Sequence, residues 1–184
     1  MALPELESRR LLLRPRQLAD LDAIVRMNAD PQVMRHIAAV GDPAMGREAV
    51  AARSFGHIGR GLGYWSVFAR DAPAEFTGYV GLIPDGSALD DIQLSYRFEA
   101  RHWGKGYARE ACSRLLRHGF ATLGLAQIGI TTHPLNVASL RLAEGLGFAA
   151  APSDPDILIG EPLVPAARLL LGRRAWLSLT QPEA

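Results

Sequence analysis

The stretch from Gln93 to Ala111, QLSYRFEARHWGKGYAREA, constrains this chain more than any other. Gln93 to Phe98 has strand composition, with Leu94, Tyr96 and Phe98 alternating onto one face. Trp103-Gly104-Lys105-Gly106-Tyr107-Ala108 then supplies two glycines and a small residue where a helix should begin. Free backbone N–H groups at a helix start, with side chains small enough for close approach, suit a phosphate-bearing ligand. Residue types alone leave the loop open between phosphate binding and a plain strand-to-helix turn. It is not a dinucleotide fingerprint, because Arg109 stands at the third glycine's place and no acid follows in Gly124 to Gln127. Nor is it a mononucleotide P-loop, because Lys105 is followed by Gly106 rather than Ser or Thr.

Ahead of this stretch the pattern reads as helices and then an antiparallel meander. Arg10 to Arg14 is a first strand closed by Pro15, and Leu18, Leu21, Ile24 and Val25 place a helix over Gln17 to Asn28. Short helices are expected over Gln32 to Ile37 and Gly46 to Ile58, and strands over Tyr64 to Ala69 and Phe76 to Ile83. Pro84-Asp85-Gly86-Ser87 is turn chemistry leading to the Gln93 strand. Behind it, helix, strand and helix alternate: Ala108 to Leu123, Gln127 to Thr132, and Asn136 to Leu146. A short strand at Phe148, a proline-rich loop over Ser153 to Pro165, and a last strand over Arg168 to Leu171 complete the chain, with Trp176 folded back onto the body. A strand–helix–strand crossover favours parallel or mixed pairing with a ligand at the strand ends. The expected fold class is α/β, one domain over residues 1–184 with a mixed, mostly antiparallel sheet.

Composition removes several classes of function. A net charge of +1 gives no electrostatic basis for nucleic-acid binding. No segment approaches the roughly 18 uninterrupted apolar residues of a membrane span, and MALPELESRR lacks the apolar run of a signal peptide. The single Cys112 cannot form an internal disulfide, which fits a cytoplasmic protein. The histidines show no metal-ligand spacing, so no metal is expected.

A second helix start, Asn136-Val137-Ala138-Ser139, follows the Gln127 to Thr132 strand. By itself it reads as ordinary capping, with Asn136 at the cap and Ser139 in the first turn. Two helix starts after neighbouring strands can, however, line the two sides of one cleft.

Together, RHWGKGYAREA and NVASLRLAEGLGF resemble the GNAT superfamily of acetyl-CoA-dependent N-acetyltransferases, and within it the RimJ/RimL-like branch that acetylates N-termini of ribosomal proteins. LESRRLLLRP, GYWSVFARDAPAEFTGYVGLI and RLLLGRRAWLSL resemble that branch too, so the similarity runs along nearly the whole chain. The resemblance implies a sheet splayed in the middle, with the pantetheine arm of acetyl-CoA in the gap. It implies that the loop from Trp103 through Gly104, Lys105, Gly106, Tyr107 and Ala108 to Arg109 receives the pyrophosphate. Backbone near Tyr96, Arg97 and Phe98 would bind the pantetheine amides and the thioester oxygen, Asn136 the cofactor arm, and Ser139 would lie near the sulfur. Acetyl would pass directly to a primary amine, of a small molecule or a peptide N-terminus, with Ser139 or else Tyr96 protonating the departing thiolate. A homodimer is compatible with this reading; a non-catalytic acyl-CoA-binding domain of the same fold is its alternative.

The proton acceptor is left open. Where the branch has a glutamate, this chain has Gln93, which is not a base. Candidates are His133, whose type suits the task, and Asp91 on the turn side of the strand. Acceptor contacts are expected from Met34 to Tyr64, with Tyr64 and Trp65 bordering the amine pocket, and from Ser153 to Pro165. Trp65, Trp103 and Trp176 are expected as packing anchors, Cys112 as core, and Arg168, Arg173 and Arg174 as a solvated face.

Overall fold

The computed structural model describes residues 2–85 and 88–180, with side chains for all of these but 88–90. Gly86 and Ser87 of the expected turn lie outside the described residues.

Apolar alternation builds one continuous sheet. A short strand β1 (Leu6–Glu7) and β2 (Leu11–Pro15) precede the helices α1 (Leu21–Asn28), α2 (Pro31–Met34) and α3 (Arg47–Ser54). The meander is β3 (Gly63–Ala69), β4 (Ala72–Asp85) and β5 (Ala88–Phe98). Helix α4 (Tyr107–Arg117) crosses over to β6 (Gln127–Thr132), and α5 (Val137–Gly145) leads to β7 (Ala149–Ala151). A small hairpin, β8 (Leu158–Ile159) with β9 (Val164–Pro165), precedes β10 (Ala167–Gly172) and a terminal helix α6 (Arg173–Thr180). The sheet order is β1-β2-β3-β4-β5-β6-β10-β7, antiparallel except where β5 meets β6. This is the expected α/β fold with a mixed sheet and helices on both faces.

The sheet forks at that one parallel contact. Its register pair is Gln93 with Gly129. Beyond it β5 stays with β4 as far as Phe98 opposite Gly78, while β6 stays with β10 as far as Thr132 opposite Ala167. The β5 edge from Leu94 to Phe98 therefore has no strand beside it, and its outward backbone groups are left for something else.

Two apolar cores pack against the sheet. One joins Trp65, Val80, Leu82, Leu94 and Phe98 of the sheet to Cys112, Leu115 and Phe120 beneath α4. The other joins Leu21, Ile24 and Met27 of α1 and Val50 of α3 to Tyr64, Phe68 and Tyr79 on the opposite face.

Several expectations need correcting. Regular α4 ends at Arg117, and His118–Thr122 continues as a wider π-turn that buries Phe120 and ends against Gly124 in the left-handed region. The 153–165 loop contains the β8–β9 hairpin, and β10 is followed by α6, a helix not expected from the sequence. Trp176 does fold back, stacking on Phe120 with ring centroids 5.2 Å apart. Arg168 is not solvated: its guanidinium binds Asp85 at 2.9 Å and also Asp91, because β10 brings it alongside these two carboxylates.

Candidate active site

The loop after β5 is shaped by two glycines in the left-handed region, Gly104 at φ 73° and Gly106 at φ 77°. Any other residue at Gly106 would be strained, and an added Cβ would stand 3.3 Å from the Arg10 guanidinium. Gly106 caps α4 without a side-chain hydrogen bond, and Glu110 is the first residue to find a helical acceptor, the Gly106 carbonyl at 3.1 Å. The N–H groups of Gly106, Tyr107, Ala108 and Arg109 therefore end the helix without an acceptor inside it. The macrodipole adds positive potential at that end.

What fixes this helix start was not visible in the sequence. Glu110 Oε1 accepts from the Arg10 N–H at 2.7 Å and the Ser8 hydroxyl at 2.8 Å, and Oε2 accepts from Arg10 Nε at 2.7 Å. Arg10 Nη1 donates to the Lys105 carbonyl at 2.9 Å, and its guanidinium lies over the Tyr107 ring. Burial alone would raise the Glu110 carboxyl, but these hydrogen bonds hold it below the usual carboxylate range.

A cleft of about 890 Å³ opens over the fork. It is bounded by Tyr96, Arg97 and Phe98 of β5, by Trp103 to Arg109 except Lys105, by Asn136 and Ser139 at the start of α5, and by Gln32 to Ile37 except Met34. The volume is in the range of small-ligand sites, roughly 300–1,000 Å³. The two helix starts thus do share one cleft. Of the residues expected at the cofactor, only Lys105 is absent from its lining; its side chain is exposed to solvent.

Ser139 and Tyr96 meet in the lining of the cleft. The Tyr96 hydroxyl lies 2.7 Å from Ser139 Oγ. Burial, with Cys112 behind it, pushes the Tyr96 phenol well up, against the opposing hydrogen bond to Ser139, so it stays protonated at any working pH. Asn136 Oδ1 accepts the Ser139 N–H at 3.1 Å, the capping role, which fixes Ser139 opposite Tyr96.

The proposed bases fare differently. Asp91 is tied to Arg168 and lies outside the cleft lining. His133 is buried, and its Nδ1 accepts the Leu135 N–H at 3.0 Å, so the neutral ring carries its proton on Nε2. His36 was not singled out from the sequence. It lines the cleft with its ring 5.1 Å from His133. Burial, then His133 and Arg35, hold it below the ordinary histidine value, and hence neutral at pH 7.

Other placements are corrections. Trp103 is half exposed on the cleft lip, with its indole N–H on the Phe98 carbonyl at 2.9 Å, rather than a packing anchor. Trp65 is wholly buried and donates to the Pro4 carbonyl, and Tyr64 is buried, so neither borders the cleft. None of 153–165 lines it; Gly160 instead packs against the His133 ring.

A family model for the acetyltransferase (GNAT) domain matches residues 10–149. This chain belongs to the GNAT acetyltransferases. It is similar to the uncharacterised protein YkkB of Bacillus subtilis (strain 168), 33% identical over 65% of this chain and 69% of that protein. It is also similar to the FsC-acetyl coenzyme A-N(2)-transacetylase of Aspergillus fumigatus, 28% identical over 99% of this chain and 82% of that one. Among solved structures, Mycobacterium smegmatis RimJ in complex with CoA-disulfide superposes with a TM-score of 0.76 at 18% identity, covering 97% of this chain and 89% of that one, a likeness of fold. As a member of the family, this GNAT protein is an acetyl-CoA-dependent acetyltransferase. Among the described residues no helix is long and apolar enough to cross a membrane.

Proposed function

We propose that this GNAT protein transfers acetyl from acetyl-CoA to the primary amine of a small molecule or a peptide N-terminus, within the cleft over the sheet fork. The observation that carries the proposal is the pairing of a bare, glycine-shaped helix start with the Tyr96–Ser139 hydroxyl pair on one cleft. Acetyl-CoA supplies an activated acyl group on a thioester. The residues present fit it: donors of Gly106 to Arg109 for its diphosphate, the unpaired β5 edge for its amide-bearing arm, and a hydroxyl pair for its sulfur.

The chain's own groups then have separate tasks. An ammonium has no lone pair, so the acceptor must reach the carbonyl as a free amine. His36, neutral at pH 7 and backed by His133, takes the proton released as the C–N bond forms. Backbone N–H groups of the open β5 edge, near Tyr96 to Phe98, meet the charge developing on the thioester oxygen. As the C–S bond breaks, the thiolate takes a proton from Ser139, which is resupplied by Tyr96, or from Tyr96 itself. The proton that His36 took returns to Tyr96 through solvent to close the cycle. Proton transfer of this kind is worth roughly 10²–10⁴-fold, and orientation of amine against thioester contributes more, since effective molarities reach about 10⁵–10⁸ M.

A thiol-release assay with acetyl-CoA and a panel of amines, short peptides included, tests the reading. Release that depends on the added amine, with a mass gain of one acetyl group on it, is the expected result. Tight coenzyme A binding with no amine-dependent release would replace an enzyme by a binding domain.

A further inference from the structure

One arginine of the cleft lining, Arg97, is the outermost of a group of three, with Arg53 and Arg16 beyond it. Arg97 lines the cleft, held by Asn28 Oδ1, and its Nε is buried without an acceptor. Its Nη1 lies 3.8 Å from the Met45 sulfur, and Arg53 Nη2 approaches the same sulfur at 3.5 Å. Two cations thus converge on a thioether, among the weakest acceptors a protein can offer. Arg16 lies behind them, only 6% exposed, sandwiched between the rings of Tyr64 and Tyr79 at 4.1 and 4.5 Å. Arg97 lies over the same Tyr79 ring.

Arg16 donates to the Ser54 hydroxyl at 2.9 Å, but its Nε and Nη2 are buried without acceptors. Neighbouring acids do not serve it. Asp20 spends one oxygen on Arg14 and the other on the Gln17 N–H and the Ser66 hydroxyl. Tyr64 supplies no anion, because burial and Tyr79 push its phenol up to about 12 against the pull of Arg16, Arg53 and Arg97. Among the described residues, Arg16, Arg53 and Arg97 have no ion-pair partner. Burying a guanidinium is costly unless a counter-charge accompanies it: Arg16 is buried and Arg97 half-buried, and Arg97 is the member that lines the cleft, whereas Arg53 is exposed and also donates to the Ala44 carbonyl.

We propose that this cluster receives a carboxylate carried by the acceptor: the amine acetylated here belongs to a molecule with an acid group a few bonds away. Arg97 is the contact group, joined by Arg53 when the carboxylate takes the place of the Met45 sulfur, and Arg16 adds charge from behind Tyr79. An amino acid offers that chemistry through its α-carboxylate, and a peptide offers it through an acidic first side chain. The inference rests on the transferase reading above and narrows its acceptor.

The experiment compares matched pairs in the thiol-release assay: free amino acids against their α-amides, and peptides beginning with Glu against the same peptides beginning with Gln. In at least one pair the acid should exceed its amide in kcat/KM by roughly 10–100-fold, the worth of a charge-assisted hydrogen bond. The acid-to-amide ratio should fall towards one in Arg97→Gln, through KM for the acid, and be partly kept in Arg97→Lys. Because the readout is a ratio within one variant, a general loss of activity does not mimic it. Preference in the first pair identifies the α-carboxylate, and in the second the side chain. Equal turnover of acid and amide in both pairs would overturn the inference while leaving the transferase reading intact. No turnover with any amine would overturn both.

Discussion

Two helices begin at the same cleft, and they begin in opposite ways. Helix α5 closes its own first turn: Asn136 accepts the Ser139 N–H, and the Ser139 hydroxyl is paired with Tyr96. Helix α4 closes nothing at its tip, where Gly106 offers no side chain and four N–H groups lack a helical acceptor. Its fastening is one turn further in, where Glu110 is gripped by Arg10 and Ser8. Open donors of this kind cost stability unless water or a ligand fills them. The difference gives the cleft one helix start with open donors, which suits an anion, and another that holds two hydroxyls together.

The sharpest break in that comparison comes from the paired hydroxyls. Tyr96→Phe leaves the cofactor cradle intact, so kcat should fall about 10²-fold or more while KM for acetyl-CoA changes far less. Steady-state thiol release reads both, and an unchanged kcat would remove Tyr96 from the chemistry.

The fastening of α4 comes next. Glu110→Gln removes the charge that Arg10 answers, and should cost about 1.5–3 kcal/mol in urea unfolding. The sign with pH follows from its lowered pKa. The carboxylate stabilises the fold fully above its ordinary value of 4.5, and that contribution disappears as pH falls through the lower folded value. Stability of the parent protein should therefore drop on acidification below about pH 4.5 more steeply than that of Glu110→Gln.

A smaller effect is expected at the bare tip. Gly106→Val forces a branched residue into the left-handed region at about 1–2 kcal/mol, and calorimetry should show coenzyme A binding weakened by about tenfold. Smallest is Asn136→Ala, a lost cap worth about 1 kcal/mol in thermal or urea unfolding. If Asn136→Ala weakened coenzyme A more than Gly106→Val did, the roles given to the two helix starts would be reversed.

Much of this site was legible because local chemistry wrote it. Alternation on β5, the glycines at 104 and 106 and the cap at Asn136 each act within a few residues, so their pattern survives in the sequence. The Arg10–Glu110 clasp spans a separation of 100 residues and the Arg168 pairs one of 77 to 83, and no local pattern marks such partners. His36 was missed for the same reason: it reaches the cleft only because the segment after α2 folds over the fork beside His133. Trp103 misled because its size suggests a core, whereas the glycine turn beside it holds the ring at the lip.

The most direct measurement is a crystal structure of this protein with coenzyme A. The diphosphate oxygens should accept hydrogen bonds, roughly 2.7–3.2 Å long, from the N–H groups of Gly106 to Arg109, with the arm running along β5 towards Tyr96 and Ser139. A diphosphate bound away from the start of α4, or an arm that never enters the gap between β5 and β6, would contradict it.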